Sequence, residues 1–163
     1  MIRNAYLAGG CFWCITPAFY DLGAEKVTAG YSGGDEENPA YADVKAQRTG
    51  HRETICITYD DSRLTYQALI DTFLSGIDPY DDGGQFIDRG HSYTTAVYYQ
   101  NEEERQLAAA ALSALEQQSG PKVRVALEPF RNFYDAEEYH QDYFRKEPEK
   151  FEQELIESGR KKG

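Results

Sequence analysis

The order of strand and helix patterns along the chain is the feature that most restricts its fold. Apolar alternation predicts strands over residues 3–8, 24–31, 51–59 and 93–99. Helical patterns separate the first strand from the second and the third from the fourth. The resulting order β-α-β-β-α-β, followed by α-β-α, predicts an α+β fold, a ferredoxin-like plait with additional C-terminal helices.

Capping residues support the helices that follow the third and fourth strands. Thr65 is predicted to cap the first of them, with Leu64 and Leu69 as a hydrophobic staple. Asn101 followed by Glu104 has the spacing of a capping box for the second.

The helix over residues 11–22 contains Pro17, which leaves two interpretations open. The helix begins near Cys11 with a distorted first turn, or Thr16 caps a helix whose first residue is Pro17.

Two polar loops, 32–50 and 77–90, exceed the usual length of a connection, so we predict that they carry functional residues. An edge strand is predicted over 123–127, with helical stretches near 136–144 and 148–156. Because no repeat or linker is evident, we expect one catalytic domain over 1–163, with a core over about 3–145 and a tail over about 146–163.

Charge and hydropathy exclude several classes of partner. The net charge of −11 argues against nucleic acid, and Arg160-Lys161-Lys162 is expected to be a solvated end. No apolar run approaches the roughly 20 residues of a membrane helix. The N-terminus lacks the apolar segment of a signal peptide, so we expect a cytoplasmic protein, monomeric by default.

Cys11 and Cys14 form a C-x-x-C pair directly after Gly9-Gly10, where a strand is predicted to turn into a helix. At a helix N-terminus, unpaired N–H groups and the helix dipole favour a thiolate, so Cys11 is a candidate nucleophile. The adjacent aromatic residues, Phe12 and Trp13, are expected to wall an apolar pocket. A pair of cysteines buried in a core helix is the plainer alternative.

Glu53 shares strand parity with Ile55 and Ile57, which places it on the apolar face of the third strand. Burial there would raise its pKa and keep it protonated as an acid. An exposed position at the end of the strand is the alternative. The same parity places Cys56 on the opposite face, as a packing residue.

Two other functions use some of the same residues. The cysteines with His51, His91 and His140 form a possible zinc module, although their spacing matches no standard site. A thioredoxin-like oxidoreductase also needs C-x-x-C, but no proline lies close before the fourth strand. Neither function explains Glu53 together with the tyrosines of the chain.

The segment Gly10-Cys11-Phe12-Trp13-Cys14 resembles the signature of the A-type peptide methionine sulfoxide reductases. The resemblance covers roughly residues 3–145, and the further motifs follow in the order of that family. These motifs are Gly30-Tyr31-Ser32-Gly33-Gly34, Asn38-Pro39-Ala40-Tyr41, Thr49-Gly50-His51-Arg52-Glu53, Asp88-Arg89-Gly90 followed by Tyr93, and Tyr139-His140-Gln141.

This resemblance implies an enzyme that repairs methionine S-sulfoxide, free or in peptides, without a cofactor or a metal. Cys11 would be the nucleophile and Glu53 the proton donor. Tyr41 and Tyr93 would hydrogen-bond to the sulfoxide oxygen, and Asp88 would give polar support. Phe12 and Trp13 would hold the methyl group of the substrate.

Cys14 departs from the family pattern, because many relatives have glycine there and carry recycling cysteines in a C-terminal tail. No cysteine follows Cys56 in this chain. We therefore expect Cys14 to resolve a Cys11 sulfenic acid as a disulfide, with a thioredoxin-like protein as reductant. His91 replaces a residue that is more often small and polar, and Tyr139 and His140 are expected to pack near the site.

Overall fold

The structure, a computed structural model, describes residues 1–157 and residue 160. Its strands are β1 (Ile2–Gly9), β2 (Lys26–Ser32), β3 (Arg52–Asp60), β4 (Gly84–Gln85), β5 (Asp88–Arg89), β6 (Thr95–Tyr99), β7 (Ala126–Pro129) and β8 (Tyr134–Asp135). Its helices are α1 (Phe12–Leu22), α2 (Tyr41–Lys45), α3 (Tyr66–Ser75), α4 (Glu102–Ser119), α5 (Tyr143–Lys146) and α6 (Pro148–Glu157).

Six strands form one sheet in the order β7-β6-β1-β3-β2-β8. The four inner strands, β6-β1-β3-β2, are antiparallel to their neighbours, with α1 connecting β1 to β2 and α3 lying between β3 and β6. This arrangement confirms the predicted α+β plait. Strand β7 extends the sheet in parallel beside β6, and the short strand β8 pairs with β2 at the other edge.

The main core lies between one face of the sheet and helices α1 and α3. Ile55 and Ile57 are fully buried on this face, together with Phe19 of α1 and Phe73 of α3. The alternation of apolar residues that predicted β3 therefore arises because one face of the sheet packs against these helices. On the opposite face Cys56 lies across from Tyr6 of β1 and is also buried, as expected of a packing residue.

Both predicted helix caps are confirmed. The Thr65 hydroxyl accepts a hydrogen bond from the Ala68 N–H at 3.1 Å. The Asn101 side chain accepts one from the Glu104 N–H at 2.9 Å, and the Glu104 carboxylate accepts the Gln100 N–H at 3.0 Å. These bonds satisfy amide groups that a helix start leaves without partners.

Helix α1 follows the first of the two interpretations, since it begins at Phe12, has Cys11 as its N-cap and contains Pro17. Pro17 has no N–H to donate to the preceding turn. The hydroxyl of the preceding residue, Thr16, donates a hydrogen bond to the Phe12 carbonyl at 2.7 Å.

Several element boundaries differ from the prediction because long-range pairing determines them. Tyr93 ends a 3₁₀ turn (His91–Tyr93), and β6 begins only at Thr95, where pairing with β1 begins. The edge strand predicted over 123–127 is β7, shifted toward the C-terminus by its pairing with β6. The two long loops contain α2 and the β4–β5 hairpin. The predicted helix over 136–144 is replaced by a 3₁₀ turn (Glu138–His140) and α5.

The C-terminal segment crosses back toward the start of the chain. Arg160 is half-buried and its Nη2 donates a hydrogen bond to the Gly9 carbonyl at 3.0 Å, so the prediction of a solvated end is wrong for this residue. Lys161 and Lys162, the rest of that prediction, lie outside the described residues. Within the described part of the chain, no helix is long and apolar enough to cross a membrane.

Candidate active site

A cavity of about 290 Å³ lies where β1 ends and α1 begins, and every site residue predicted from the sequence lines it. These residues are Cys11, Phe12, Trp13, Cys14, Tyr41, Glu53, Asp88 and Tyr93. Four further residues complete the lining and were not predicted: Lys45, Ile87, Glu154 and Glu157. They lie on α2, on the β4–β5 hairpin and on α6, which only tertiary packing brings to this place.

Cys11 lies at the N-cap of α1, as predicted, and it is buried beside Cys14. A hydrogen bond with the Cys14 thiol, burial and the negative charge of Asp88 raise the pKa of Cys11 well above its ordinary value. A backbone hydrogen bond with Trp13 acts in the opposite direction without prevailing. The hydrogen bond with Cys14 and burial therefore oppose the thiolate that the helix terminus favours.

The sharp turn that presents Cys11 requires Gly10. Gly10 adopts a φ of +87°, and a Cβ at this position would lie 2.7 Å from the Gln85 Cβ. Glycine is the residue that tolerates both the left-handed backbone and the close approach. The turn therefore determines where the thiol lies relative to the cavity.

Glu53 is buried, with 1% of its surface exposed, which confirms the burial predicted from strand parity. One carboxyl oxygen accepts a hydrogen bond from the Phe12 N–H at 3.3 Å. The other, Oε2, has no hydrogen-bond partner among the residues that the structure describes. Burial, followed by the electrostatic effect of Cys11, raises the pKa of Glu53 well above 4.5, which favours the protonated acid.

Tyr41 and Tyr93 bring two phenol groups to the same cavity. Burial, followed by the negative charge of Glu53, raises the pKa of both phenols, which keeps them neutral donors. The Tyr93 side chain acts in the opposite direction on the pKa of Tyr41, without prevailing. The cavity thus brings the carboxyl group of Glu53 and the two phenols beside the thiols of Cys11 and Cys14.

The apolar wall of the cavity is held by His140, a residue expected from the sequence only to pack nearby. The Trp13 Nε1–H donates a hydrogen bond to His140 Nδ1 at 3.1 Å, and the indole stacks on Tyr143 with centroids 4.1 Å apart. The His140 ring also lies 5.1 Å from Phe12 and 4.3 Å from Tyr41, centroid to centroid.

Burial lowers the pKa of His140 to about 4, so the ring is neutral and can accept the hydrogen bond from the indole N–H. Its neighbour along the chain, Tyr139, is 58% exposed at the edge of this wall.

Glu137 positions Tyr41 and was not predicted from the sequence. Its carboxylate accepts a hydrogen bond from the Tyr31 hydroxyl at 2.8 Å and another from the Tyr41 N–H at 3.1 Å. These two bonds fix the start of α2 against β2. No periodicity or motif spacing signals such a link, because Glu137 lies 96 residues from Tyr41 along the chain.

Asp88 enters the cavity from the β4–β5 hairpin, which Gln85 anchors. The Gln85 side chain is buried and exchanges hydrogen bonds of 2.7 Å with both the N–H and the carbonyl of Asp78. Burial raises the pKa of Asp88, while the positive charges of Arg160 and Lys45 lower it.

Cys14 lies in the first turn of α1, half-buried, and its N–H donates to the Cys11 carbonyl at 3.1 Å. Both cysteines are free thiols. Within the described ranges, 1–157 and 160, no group of three or more His, Cys, Asp and Glu side chains could hold a metal ion. The rings of His91 and His51 have different surroundings. His91 hydrogen-bonds to the Gly50 carbonyl at 3.0 Å, and His51 is buried near Glu36.

Comparison with known proteins gives a consistent result. The family model described as peptide methionine sulfoxide reductase matches residues 3–163. A Bacillus licheniformis protein named peptide methionine sulfoxide reductase MsrA is 45% identical over 159 residues, which cover 96% of this chain and 88% of that protein.

Solved structures give the same likeness. Reduced Mxr1 from Saccharomyces cerevisiae superposes with a TM-score of 0.85 at 28% identity, covering 91% of this chain and 87% of that one. Mxr1 in complex with Trx2 matches with a TM-score of 0.59 at 20% identity, covering 87% and 84%, a likeness of fold alone.

Proposed function

The chain belongs to the peptide methionine sulfoxide reductase family, and from this premise we propose that it reduces methionine S-sulfoxide to methionine with Cys11 as nucleophile. One observation carries the proposal. The Cys11 thiol, the Glu53 acid and the hydroxyls of Tyr41 and Tyr93 line a single cavity beside the apolar wall of Trp13.

The sulfoxide binds with its methyl group against Phe12 and Trp13, the apolar part of the cavity. Its oxygen points toward Glu53, Tyr41 and Tyr93, which present neutral O–H donors. Donors that are already in place stabilise the negative charge that concentrates on the oxygen during reduction. The choice of the S epimer rests on the family, because each class of these reductases acts on one epimer.

The first step transfers the oxygen atom from substrate to enzyme. The Cys11 sulfur attacks the sulfoxide sulfur while Glu53 gives its proton to the oxygen, and the thiol proton of Cys11 passes to the Glu53 carboxylate. This attack forms a bond between the Cys11 sulfur and the substrate sulfur. The protonated oxygen then passes from the substrate sulfur to the Cys11 sulfur as the sulfur–sulfur bond and the sulfur–oxygen bond of the substrate break. Cys11 thereby becomes a sulfenic acid, and the substrate leaves as methionine. The proton count is unchanged, since Glu53 ends as the acid it was at the start.

The second step restores Cys11. The Cys14 thiol attacks the sulfenic acid sulfur, which forms a Cys11–Cys14 disulfide and releases water. Two residues three positions apart at a helix start are within the Cα separation that a disulfide tolerates. A dithiol protein of the thioredoxin class then reduces the disulfide. The partner named for yeast Mxr1, Trx2, supports this class of reductant.

The proposal is tested by turnover of S- and R-methionine sulfoxide with dithiothreitol as reductant. The wild type is expected to reduce the S epimer alone, and Cys11→Ser is expected to be inactive. Cys56 is a buried cysteine on the other face of the sheet, so Cys56→Ser serves as the matched control and is expected to keep its activity. A folded, reduced wild type that turns over neither epimer would exclude the proposed function.

The role of Cys14 needs a separate measurement. Cys14→Ser is expected to form one methionine per enzyme without reductant and to accumulate a sulfenic acid that dimedone traps. It should lose turnover with a thioredoxin system while the wild type keeps it. Unchanged thioredoxin-dependent turnover would show that Cys14 does not resolve the sulfenic acid.

A further inference from the structure

The mouth of the cavity carries charged residues that the reduction of a sulfoxide does not use. We call Lys45, Asp88, Glu154 and Glu157 the charged rim, since these four line the cavity from α2, β5 and α6. Three carboxylates face one cation there. A neutral sulfoxide group needs none of these charges, so the rim acts on another part of the substrate.

Lys45 and Arg160 offset these carboxylates in part, since both positive charges lower the pKa of Asp88 and Lys45 also lowers that of Glu154. Among the residues that the structure describes, neither Glu154 nor Lys45 takes part in an ion pair within 4 Å. Burial raises the pKa of Glu154, and the negative charges of Asp88 and Glu157 raise it further. Like charges that crowd at a half-buried mouth are relieved by a cation that enters with the substrate.

The charged rim and Cys11 line the same cavity. Three bonds separate the sulfur of methionine sulfoxide from its Cα. When the sulfur reaches Cys11 and the oxygen reaches the unpartnered Oε2 of Glu53, the backbone of the substrate and its neighbouring groups stay at the mouth. Charges on those groups therefore meet Glu154 and Glu157.

We propose that Glu154 and Glu157 are specificity-determining residues that select methionine sulfoxide carrying a positive charge beside it. This inference rests on the proposed function and adds the class of substrate. The cation is an ammonium or guanidinium group, supplied either by the α-amino group of the sulfoxide residue itself or by an adjacent lysine or arginine. Anionic neighbours are disfavoured by the same carboxylates.

The test is a series of S-sulfoxides that differ only in charge, assayed with dithiothreitol. Methionine sulfoxide amide carries an α-ammonium, the N-acetyl methylamide is neutral and N-acetyl methionine sulfoxide is an anion. We expect kcat/KM to fall at least about five-fold at each step from cation to neutral to anion, mainly through KM, as for charges a few ångströms apart at a protein surface. Salt at 1 M is expected to compress the series toward a single value.

Blocked tripeptides identify the source of the cation. Acetyl-Lys-methionine sulfoxide-Ala amide is compared with the same peptide in which glutamine or glutamate replaces lysine. A preference for the lysine peptide assigns the rim to basic sequences, whereas a preference confined to the free α-ammonium assigns it to free or N-terminal methionine sulfoxide. Either preference supports the proposal. Equal kcat/KM values within the charge series and also among the tripeptides would overturn it.

Variants separate the rim from the reaction. Glu154→Gln and Glu157→Gln are each expected to reduce the cation preference two- to five-fold, mainly by raising KM for the cationic substrate. Glu149→Gln, an exposed glutamate of the same helix outside the cavity, is the matched control and should keep the preference.

Two results would overturn the role of these glutamates. An equal loss of kcat/KM on the cationic, neutral and anionic substrates would show a structural effect. An unchanged order of kcat/KM in the double variant E154Q/E157Q would show that other groups set any preference. Both differ from the failure of the proposed function, in which the wild type reduces none of the sulfoxides.

Discussion

Replacing Glu53 by glutamine is expected to stabilise the protein while it removes most of the activity. Glutamine has nearly the same shape, and its carbonyl oxygen can still accept the Phe12 N–H that Glu53 Oε1 accepts at 3.3 Å. The change therefore removes the titrating proton and little else. General acid catalysis contributes about 10²- to 10⁴-fold, so kcat is expected to fall by a factor in that range.

The stability change follows from the pKa of Glu53, which burial raises in the folded protein. Above pH 4.5 the unfolded chain ionises this carboxyl group, while the folded protein keeps its proton. The unfolded state then binds fewer protons, and the free energy of unfolding of the wild type decreases by up to about 1.4 kcal/mol per pH unit until the folded pKa is passed. The glutamine variant lacks this loss.

Urea unfolding at pH 5, 6, 7 and 8, in the presence of reductant, measures the effect as the difference between variant and wild type. Groups common to both proteins, such as His140 with its lowered pKa, cancel in this difference. We expect the advantage of Glu53→Gln to widen steadily with pH. A difference that stays constant from pH 5 to pH 8 would refute the reasoning, because it would mean that Glu53 is ionised in the folded protein.

Three further substitutions test how the site is held. Glu137→Ala removes two hydrogen bonds to a carboxylate and should lower the free energy of unfolding by about 2–3 kcal/mol in urea titrations at pH 7. Burial opposes ionisation of Glu137, but its hydrogen bonds prevail and lower its pKa. The difference in the free energy of unfolding between wild type and Glu137→Ala should therefore shrink as the pH falls through the pKa of Glu137 in the folded protein. His140→Phe should shift the indole N–H resonance of Trp13, the single tryptophan, and raise KM several-fold; an unchanged resonance would contradict the 3.1 Å bond. Gly84→Ala places a Cβ 2.2 Å from the Asp88 carbonyl at a φ of +144° and should lower both the melting temperature and kcat, whereas wild-type values in both would contradict the strain.

Local pattern was sufficient for much of the fold. The alternation in β3 predicted both the strand and the burial of Glu53, because side chains on a strand have a period of two whatever the strand pairs with. Thr65 and Asn101 predicted their helix starts, since a cap bonds to amides within three residues. The resemblance of motifs to the family identified Tyr41, Asp88 and Tyr93 as site residues. The periodicity of the sequence does not indicate that these three lie together.

The sequence, together with its family resemblance, therefore indicated the main elements of the plait and eight of the twelve residues that line the cavity around Cys11. Tertiary structure alone decided the surroundings of the Cys11 thiol, where the hydrogen bond with Cys14 and burial raise its pKa. It also decided that Glu137 holds Tyr41 and that Glu154 reaches the mouth of the cavity. These contacts join segments about 100 residues apart, and their energies depend on desolvation, which is a property of the packed structure and not of any local pattern.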